Sequence, residues 1–170
     1  NAKEIHFEPG GKGFNQAVAA ARFRSEVSFL SAVGKEYKSE IEDFIAKENI
    51  KGFLIQKKES TAFATILTDK NGANQVTVFR GASLESSDVD CFKEQIENAD
   101  ILLINNEVNI DVLEKAICYA KKGNTFVILN PAPSRELSDY IIENTDLFTP
   151  NEHETQGLED RDNMIVTLGS

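Results

Sequence analysis

The sequence predicts an α/β protein built on a mainly parallel sheet, and three observations carry that prediction. Short apolar runs alternate with longer amphipathic ones, the apolar runs are continuous rather than alternately polar and apolar, and one hairpin signal stands outside the alternation. Continuous apolar strands are those buried on both faces, and their alternation with helices is the pattern of a parallel sheet covered on either side. The 170 residues fit one domain, 1–170, and a hydrophobic share of 41% is enough for a core.

Each element has its own signal. The stretch EPGGKGFNQAVAAAR puts three glycines and a lysine before small apolar residues, which predicts a loop and then a helix over 15–23. EVSFLSAV, 26–33, reads as a strand, and 37–48 as a helix with Ile41, Phe44 and Ile45 on one face. TAFATILT, 61–68, and QVTVF, 75–79, are β-rich and separated by Asn71-Gly72, a dipeptide that favours positive φ and so a hairpin. Ser87 and Asp90, three residues apart, suit the reciprocal caps of a helix start. Then follow strand 100–105, helix 110–122, strand 125–130, helix 135–144, strand 146–149 and strand 164–168.

One junction breaks the pattern. Between Thr149 and Met164 the chain is polar and carries no amphipathic helix, whereas a parallel crossover takes about a dozen or more residues with a packed helix. Either the last strand runs antiparallel, or residues are missing between Glu154 and Asn163.

Charge and cysteine usage narrow the functional classes. Eighteen Lys and Arg stand against 28 Asp and Glu, a net charge of -10, which argues against a nucleic-acid partner. Cys91 and Cys118 lack the spacing of a metal knuckle or redox pair, so both are expected to be buried thiols in a reduced, cytoplasmic protein. No apolar run approaches the length of a membrane span and no signal-peptide pattern occurs, so no membrane partner is expected. Asn1 stands where a gene product would begin with Met, and the chain is expected to be incomplete.

The glycine loop supports two readings. Gly10, Gly11 and Gly13 let the backbone approach a ligand, and a helix N-terminus behind them offers amides and partial positive charge to hydroxyls or phosphates. It fits neither G-x-x-x-x-G-K-[ST] nor G-x-G-x-x-G, since Gln16 stands three residues beyond Gly13. The alternative is a glycine turn whose Lys12 points to water.

GGKGFNQAVAAAR closely resembles the sugar-binding signature GGKGxNQAVAAAR of the ribokinase-like carbohydrate kinases. Further likenesses follow in that family's order: AVG after the second strand, Gly81-Ala82 after the hairpin, LLINNE, ILNPAPSREL, TPNEHE and VTLGS. The resemblance covers nearly the whole chain. It implies a three-layer α/β/α domain with a small β lid, the hairpin at about 61–80, and ATP-dependent phosphorylation of a sugar, D-ribose at its 5-hydroxyl in the first instance.

The same resemblance assigns residues. Gly11, Lys12 and Asn15 would contact sugar hydroxyls, with the Asn15 amide both donating and accepting, and Glu107 stands at the family's sugar-binding glutamate. Asn151 and Glu154 match an N-x-x-E element: Asn151 near the nucleotide phosphates, Glu154 organising Mg²⁺ through water, because that ion gives up its hydration shell reluctantly. Thr167, Gly169 and Ser170 match the start of the nucleotide loop. His153 is not expected to be a ligand. ATP, Mg²⁺ and a monovalent cation such as K⁺ are the implied cofactors, and a homodimer through the lid the implied assembly. The hairpin admits a second reading as an edge of the main sheet.

Departures and absences bear on that reading. Phe14 replaces the usual alanine, Arg80 a proline and Ser83 an asparagine, which leaves the particular sugar open. The family's G-A-G-D loop, whose aspartate takes the proton from the attacking hydroxyl, does not occur in the 170 residues, so no catalytic base is assigned. A working sugar kinase of which this is part, a kinase for another sugar or nucleoside, and a non-catalytic sugar-binding or dimerisation module are the readings that follow.

Overall fold

The structure, a computed structural model, describes residues 6–69, 72, 74–155, 157–158 and 161–168. It contains two compact units, Asn1–Ser83 and Leu84–Ser170.

In the first unit, α1 (Lys12–Arg22) is followed by β1 (Val27–Val33), α2 (Lys38–Lys47) and β2 (Ile50–Gln56). Strands β1 and β2 pair in parallel from Val27↔Ile50 to Val33↔Gln56, with α2 as the crossover. The helices meet the sheet through residues three and four apart: Phe14, Ala17, Val18 and Ala21 from α1, Ile41, Phe44 and Ile45 from α2, against Val27, Phe29, Ile50 and Leu54. At the C-terminal end of α1, Arg22 donates twice to the Glu48 carboxylate, at 2.9 and 2.5 Å.

Strand β2 is an element the sequence reading left out. Lys51 and Gly52 interrupt its apolar run, yet seven parallel pairs with β1 hold it, so pairing with a neighbour overrides its composition. Helix α1 also begins three residues before the expected start. Its N-cap is Gly11 at φ 102°, a left-handed conformation that glycine adopts readily, and the Asn15 amide closes the first turn on the Gly11 carbonyl at 2.9 Å. The hairpin forms as expected from β3 (Phe63–Thr68) and β4 (Asn74–Phe79), antiparallel and outside the parallel pairs; Gly72 holds φ 83°, while Asn71 lies outside the described residues.

The second unit opens with a 3-10 helix, Ser86–Phe92, leading into α3 (Lys93–Glu97), β5 (Ile101–Asn105), α4 (Ile110–Gly123), β6 (Phe126–Asn130), α5 (Asp139–Glu143) and β7 (Leu147–Phe148). Its sheet has the order β5-β6-β7, all parallel. Helix α4 buries Val112, Leu113, Ala116, Ile117 and Ala120, one face of a 3.6-residue period, and Val127, Leu129 and Phe148 of the sheet are wholly buried. Strand alternation sends Ile101, Leu103 and Phe126 the other way, where they are exposed.

Four sequence expectations are corrected here. The reciprocal cap is made by Glu85 and Asp88, not Ser87 and Asp90, because the helical turn starts earlier than the apolar periodicity suggests. Helix α5 begins only after Ser138, which is in extended backbone and whose Oγ accepts from the Ile141 amide at 3.4 Å, an N-cap that sets the start there. The expected strand 164–168 is reduced to two isolated bridges, Met164 to Phe148 and Thr167 to Asn151, both in parallel sense, so of its two readings the antiparallel one does not hold. The chain between them turns through bonds from Glu154 to Asn151, Leu158 to Thr155 and Arg161 to Leu158, with no helix among the described residues; Gln156, Glu159 and Asp160 lie outside them. Finally, Cys91 is exposed, on the outer side of the 3-10 helix with its thiol 3.0 Å from the Asp88 carbonyl, and Cys118 is half-buried.

Candidate functional site

The first unit carries Gly11, Lys12 and Asn15 at the start of α1. Lys12 and Asn15 are exposed and one helical turn apart, whereas Phe14 and Ala17 point into the core. Gly11 has no side chain with which to cap the first turn, whose amides a helix leaves without internal partners. Phe14 is 7% exposed and packs edge-on against Phe29 and tilted against Phe44, with ring centroids 5.9 and 5.4 Å apart. The departure from the family's alanine therefore lies in the core of the first unit.

Where the hairpin leaves the β1–β2 pair, β1 and the hairpin stem are joined. The Gly34 amide donates to Thr61 Oγ1 at 2.8 Å, the Thr61 amide donates to Glu36 Oε1 at 2.6 Å, and the Ala82 amide donates to the Ser60 carbonyl at 2.7 Å. A Cβ on Gly34 would collide with the Thr61 amide nitrogen, and one on Gly81 with the Ser60 carbonyl, so both glycines are required by close approach. The amides of Glu36 itself and of Thr61 hold the Glu36 carboxyl below the usual carboxylate range. Gly34 and Gly81 were legible as motif glycines; Glu36, two residues beyond Gly34, carries no signal until its partner at Thr61 is known.

The second unit places its motif residues along the C-terminal edge of the parallel sheet, where open α/β sheets hold ligands. After β5, Asn105 and Asn106 are buried and Glu107 is exposed; the Glu107 amide donates to Asn105 Oδ1 at 2.9 Å. The Asn106 amide group bonds the Pro133 carbonyl at 3.1 Å, which ties LLINNE to NPAPSREL. After β6, Asn130 donates to the Thr149 carbonyl at 2.7 Å. Arg135 buries Nε and Nη2 without a hydrogen-bond partner among the described residues, and burial pushes its pKa down.

After β7, Asn151, Glu154 and Thr167 come together. The Asn151 amide donates to Glu154 Oε2 at 3.0 Å, the Glu154 amide returns to the Asn151 carbonyl at 3.1 Å, and Asn151 bridges Thr167 in parallel. Asn151 Oδ1 accepts from the His153 amide at 2.9 Å, and the His153 side chain is exposed. Gly169 and Ser170 lie outside the described residues. No group of three metal-type side chains gathers among the described residues. Mg²⁺ keeps several waters and is bound through one or two carboxylates and substrate phosphates instead of being caged by protein, and Glu154 is a carboxylate of that kind in the turn after β7.

Comparison with known proteins gives one family. The description pfkB family carbohydrate kinase matches residues 1–167. The chain is 37% identical to a ribokinase of Haemophilus influenzae over 154 residues, covering 88% of this chain and 50% of that protein. It is 30% identical to a ribokinase of Staphylococcus aureus, covering 94% and 58%. The alignment to the latter runs to 176 positions against 170 residues here, so that relative carries residues without a counterpart in this chain. Among solved structures, a ribokinase of Thermotoga maritima superposes with a TM-score of 0.82 at 32% identity, covering 94% of this chain and 53% of that one. The chain thus spans about half the length of the curated relatives it matches.

Proposed function

The chain belongs to the pfkB family of carbohydrate kinases, and from that premise we propose that the whole protein transfers the γ-phosphoryl group of ATP to a sugar, D-ribose at its 5-hydroxyl. The observation that carries the proposal is the first turn of α1, where Gly11 at φ 102° opens a helix whose exposed face bears Lys12 and Asn15, within a matched sugar-kinase signature. Relatives that carry the name ribokinase support ribose as the sugar.

In this reading Gly11, Lys12 and Asn15 bind sugar hydroxyls, and Glu107 accepts from a neighbouring pair of them. Asn151, Thr167, Gly169 and Ser170 serve the nucleotide, and Glu154 holds Mg²⁺ through water; a monovalent cation such as K⁺ completes the cofactors. When bound, Mg²⁺ supplies charge neutralisation to the phosphates. The chain's own residues bind and orient, and none of them is assigned the role of base. Residues 61–80 form a lid that excludes water from the sugar, which disfavours ATP hydrolysis. Two copies pair through this lid, the two units belong to one domain, and a kinase that consumes ATP works in the cytoplasm.

The test is calorimetric titration of ribose and ATP against the full-length polypeptide and its Asn15→Ala variant. An unpaired hydroxyl in a desolvated pocket costs about 1–3 kcal/mol, so ribose affinity is expected to fall roughly 10- to 100-fold with ATP affinity unchanged. Weakened ATP binding with ribose untouched would make the loop a nucleotide cradle.

A further inference from the structure

We propose that Glu36 is a positioning residue for sugar binding: with Gly34 and Thr61 it forms a latch that fixes the angle at which the β3–β4 hairpin leaves the β1–β2 pair. The inference rests on the reading of that hairpin as a lid. Every residue of β3 is exposed, so packing along its length does not set the ribbon's direction, and the base must. At the base, the Ser60–Ala82 bond joins the two stems only to each other. The attachment of the Thr61 stem to the end of β1 includes two bonds, Gly34 amide to Thr61 Oγ1 and Thr61 amide to Glu36 Oε1, at 2.8 and 2.6 Å, and the Thr61 hydroxyl also serves the Glu36 carboxylate.

Both bonds come from one short turn. Gly34 and Glu36 are two residues apart, and Thr61 answers the first with its hydroxyl and the second with its amide, so the residue is gripped at two points and cannot rotate about either. The acceptor on Glu36 is ionised, which makes its bond charge-assisted and stronger than a neutral one. Strand β1 also packs against α1, whose first turn carries the proposed sugar contacts. The lid's direction and the sugar loop are therefore referred to the same strand.

Three full-length variants test the latch. Glu36→Ala removes the acceptor, Glu36→Gln keeps an oxygen for the Thr61 amide, and Thr61→Val removes the hydroxyl. For Glu36→Ala, amide hydrogen exchange is expected to quicken at Thr61 and through β3 and β4. The sugar KM is expected to rise roughly threefold to tenfold, the worth of one lost hydrogen bond, with the ATP KM and the melting temperature unchanged. Glu36→Gln should stay near the parent. Combining Glu36→Ala with Thr61→Val should raise the sugar KM by less than the product of the single effects, since both act on one stem. Unchanged exchange at Thr61 would overturn the latch, as would a fall in melting temperature with equal loss for both substrates. Should the parent protein show no sugar phosphorylation, the kinase reading fails by itself and the exchange at Thr61 still decides whether Glu36 holds the stem.

Discussion

Phe14 and Asn15 are neighbours in sequence with opposite duties, because successive residues of a helix point about 100° apart. Asn15 faces out with Lys12, while Phe14 fills the space between β1 and α2. Phe14→Ala is expected to cost about 3–5 kcal/mol, the usual range for emptying a buried aromatic site, and a urea titration of the full-length protein will read it as a lowered midpoint. A shift no larger than that of Asn15→Ala would mean that the ring is not part of the core. The polar members of the loop were legible in the sequence as a signature. The role of Phe14 was not, since it depends on Phe29 and Phe44, which are distant in the chain and adjacent only once β1 and α2 pack. At the other end, Glu154 has its carboxylate in a turn with the Asn151 amide. Glu154→Gln keeps that acceptor and removes the charge. It is expected to raise the magnesium concentration needed for half-maximal activity about tenfold while leaving ribose binding in place, the scale of a lost charge-assisted contact. Identical magnesium titrations for parent and variant would take Glu154 out of the metal's reach.

Asp146 shows how an element is held in place by groups outside it. The residue precedes β7, accepts from Lys121 of α4 at 2.6 Å and from the Val127 amide of β6 at 2.7 Å, and so pins strand to helix to strand. Burial alone pushes its carboxyl up, but Lys121 and the Val127 amide outweigh that effect and leave the pKa below the ordinary aspartate value of 3.8. A lowered folded pKa means that the stabilisation is present above the unfolded value and is lost as pH falls through the folded one. Asp146→Asn should thus destabilise by about 0.5–1.5 kcal/mol near neutral pH, allowing for solvent screening. The gap in melting temperature between parent and variant should close as the pH is lowered below about 4. A gap independent of pH would assign the effect to packing. Elements with strong periodicity, such as α4, were legible to within a residue; β2 was not, because Lys51 and Gly52 hide a strand that only its partner stabilises, and the start of α5 was not, because Arg135–Leu137 suit a helix while the capping residue is Ser138.

At the scale of the molecule, the order of motifs along the chain made the family legible, but motif order says nothing about which apolar faces remain open. The hairpin illustrates this. Its register puts Ala64, Ile66, Thr68, Val76 and Val78 on one face and Phe63, Thr65, Leu67, Gln75, Thr77 and Phe79 on the other. The first face is apolar through Ala64, Ile66, Val76 and Val78, whose three large members are 55–62% exposed, whereas the second has Thr65, Gln75 and Thr77 between Leu67 and a stacked Phe63–Phe79 pair whose ring centroids lie 5.1 Å apart. A face with a contiguous apolar patch gains most from being covered, and its two-stranded ribbon is too thin to bury it alone. If two copies pair through the lid, this is the face they share. Ile66→Asp combined with Val78→Asp puts two like charges into that contact, with a second pair from the other copy. The full-length variant is therefore expected to sediment as a monomer at micromolar concentrations where the parent sediments as a dimer. Thr65→Asp, on the opposite face, serves as the control and should leave the dimer intact. A dimer that survives the double substitution, or a parent that is monomeric under the same conditions, would remove the hairpin from the assembly.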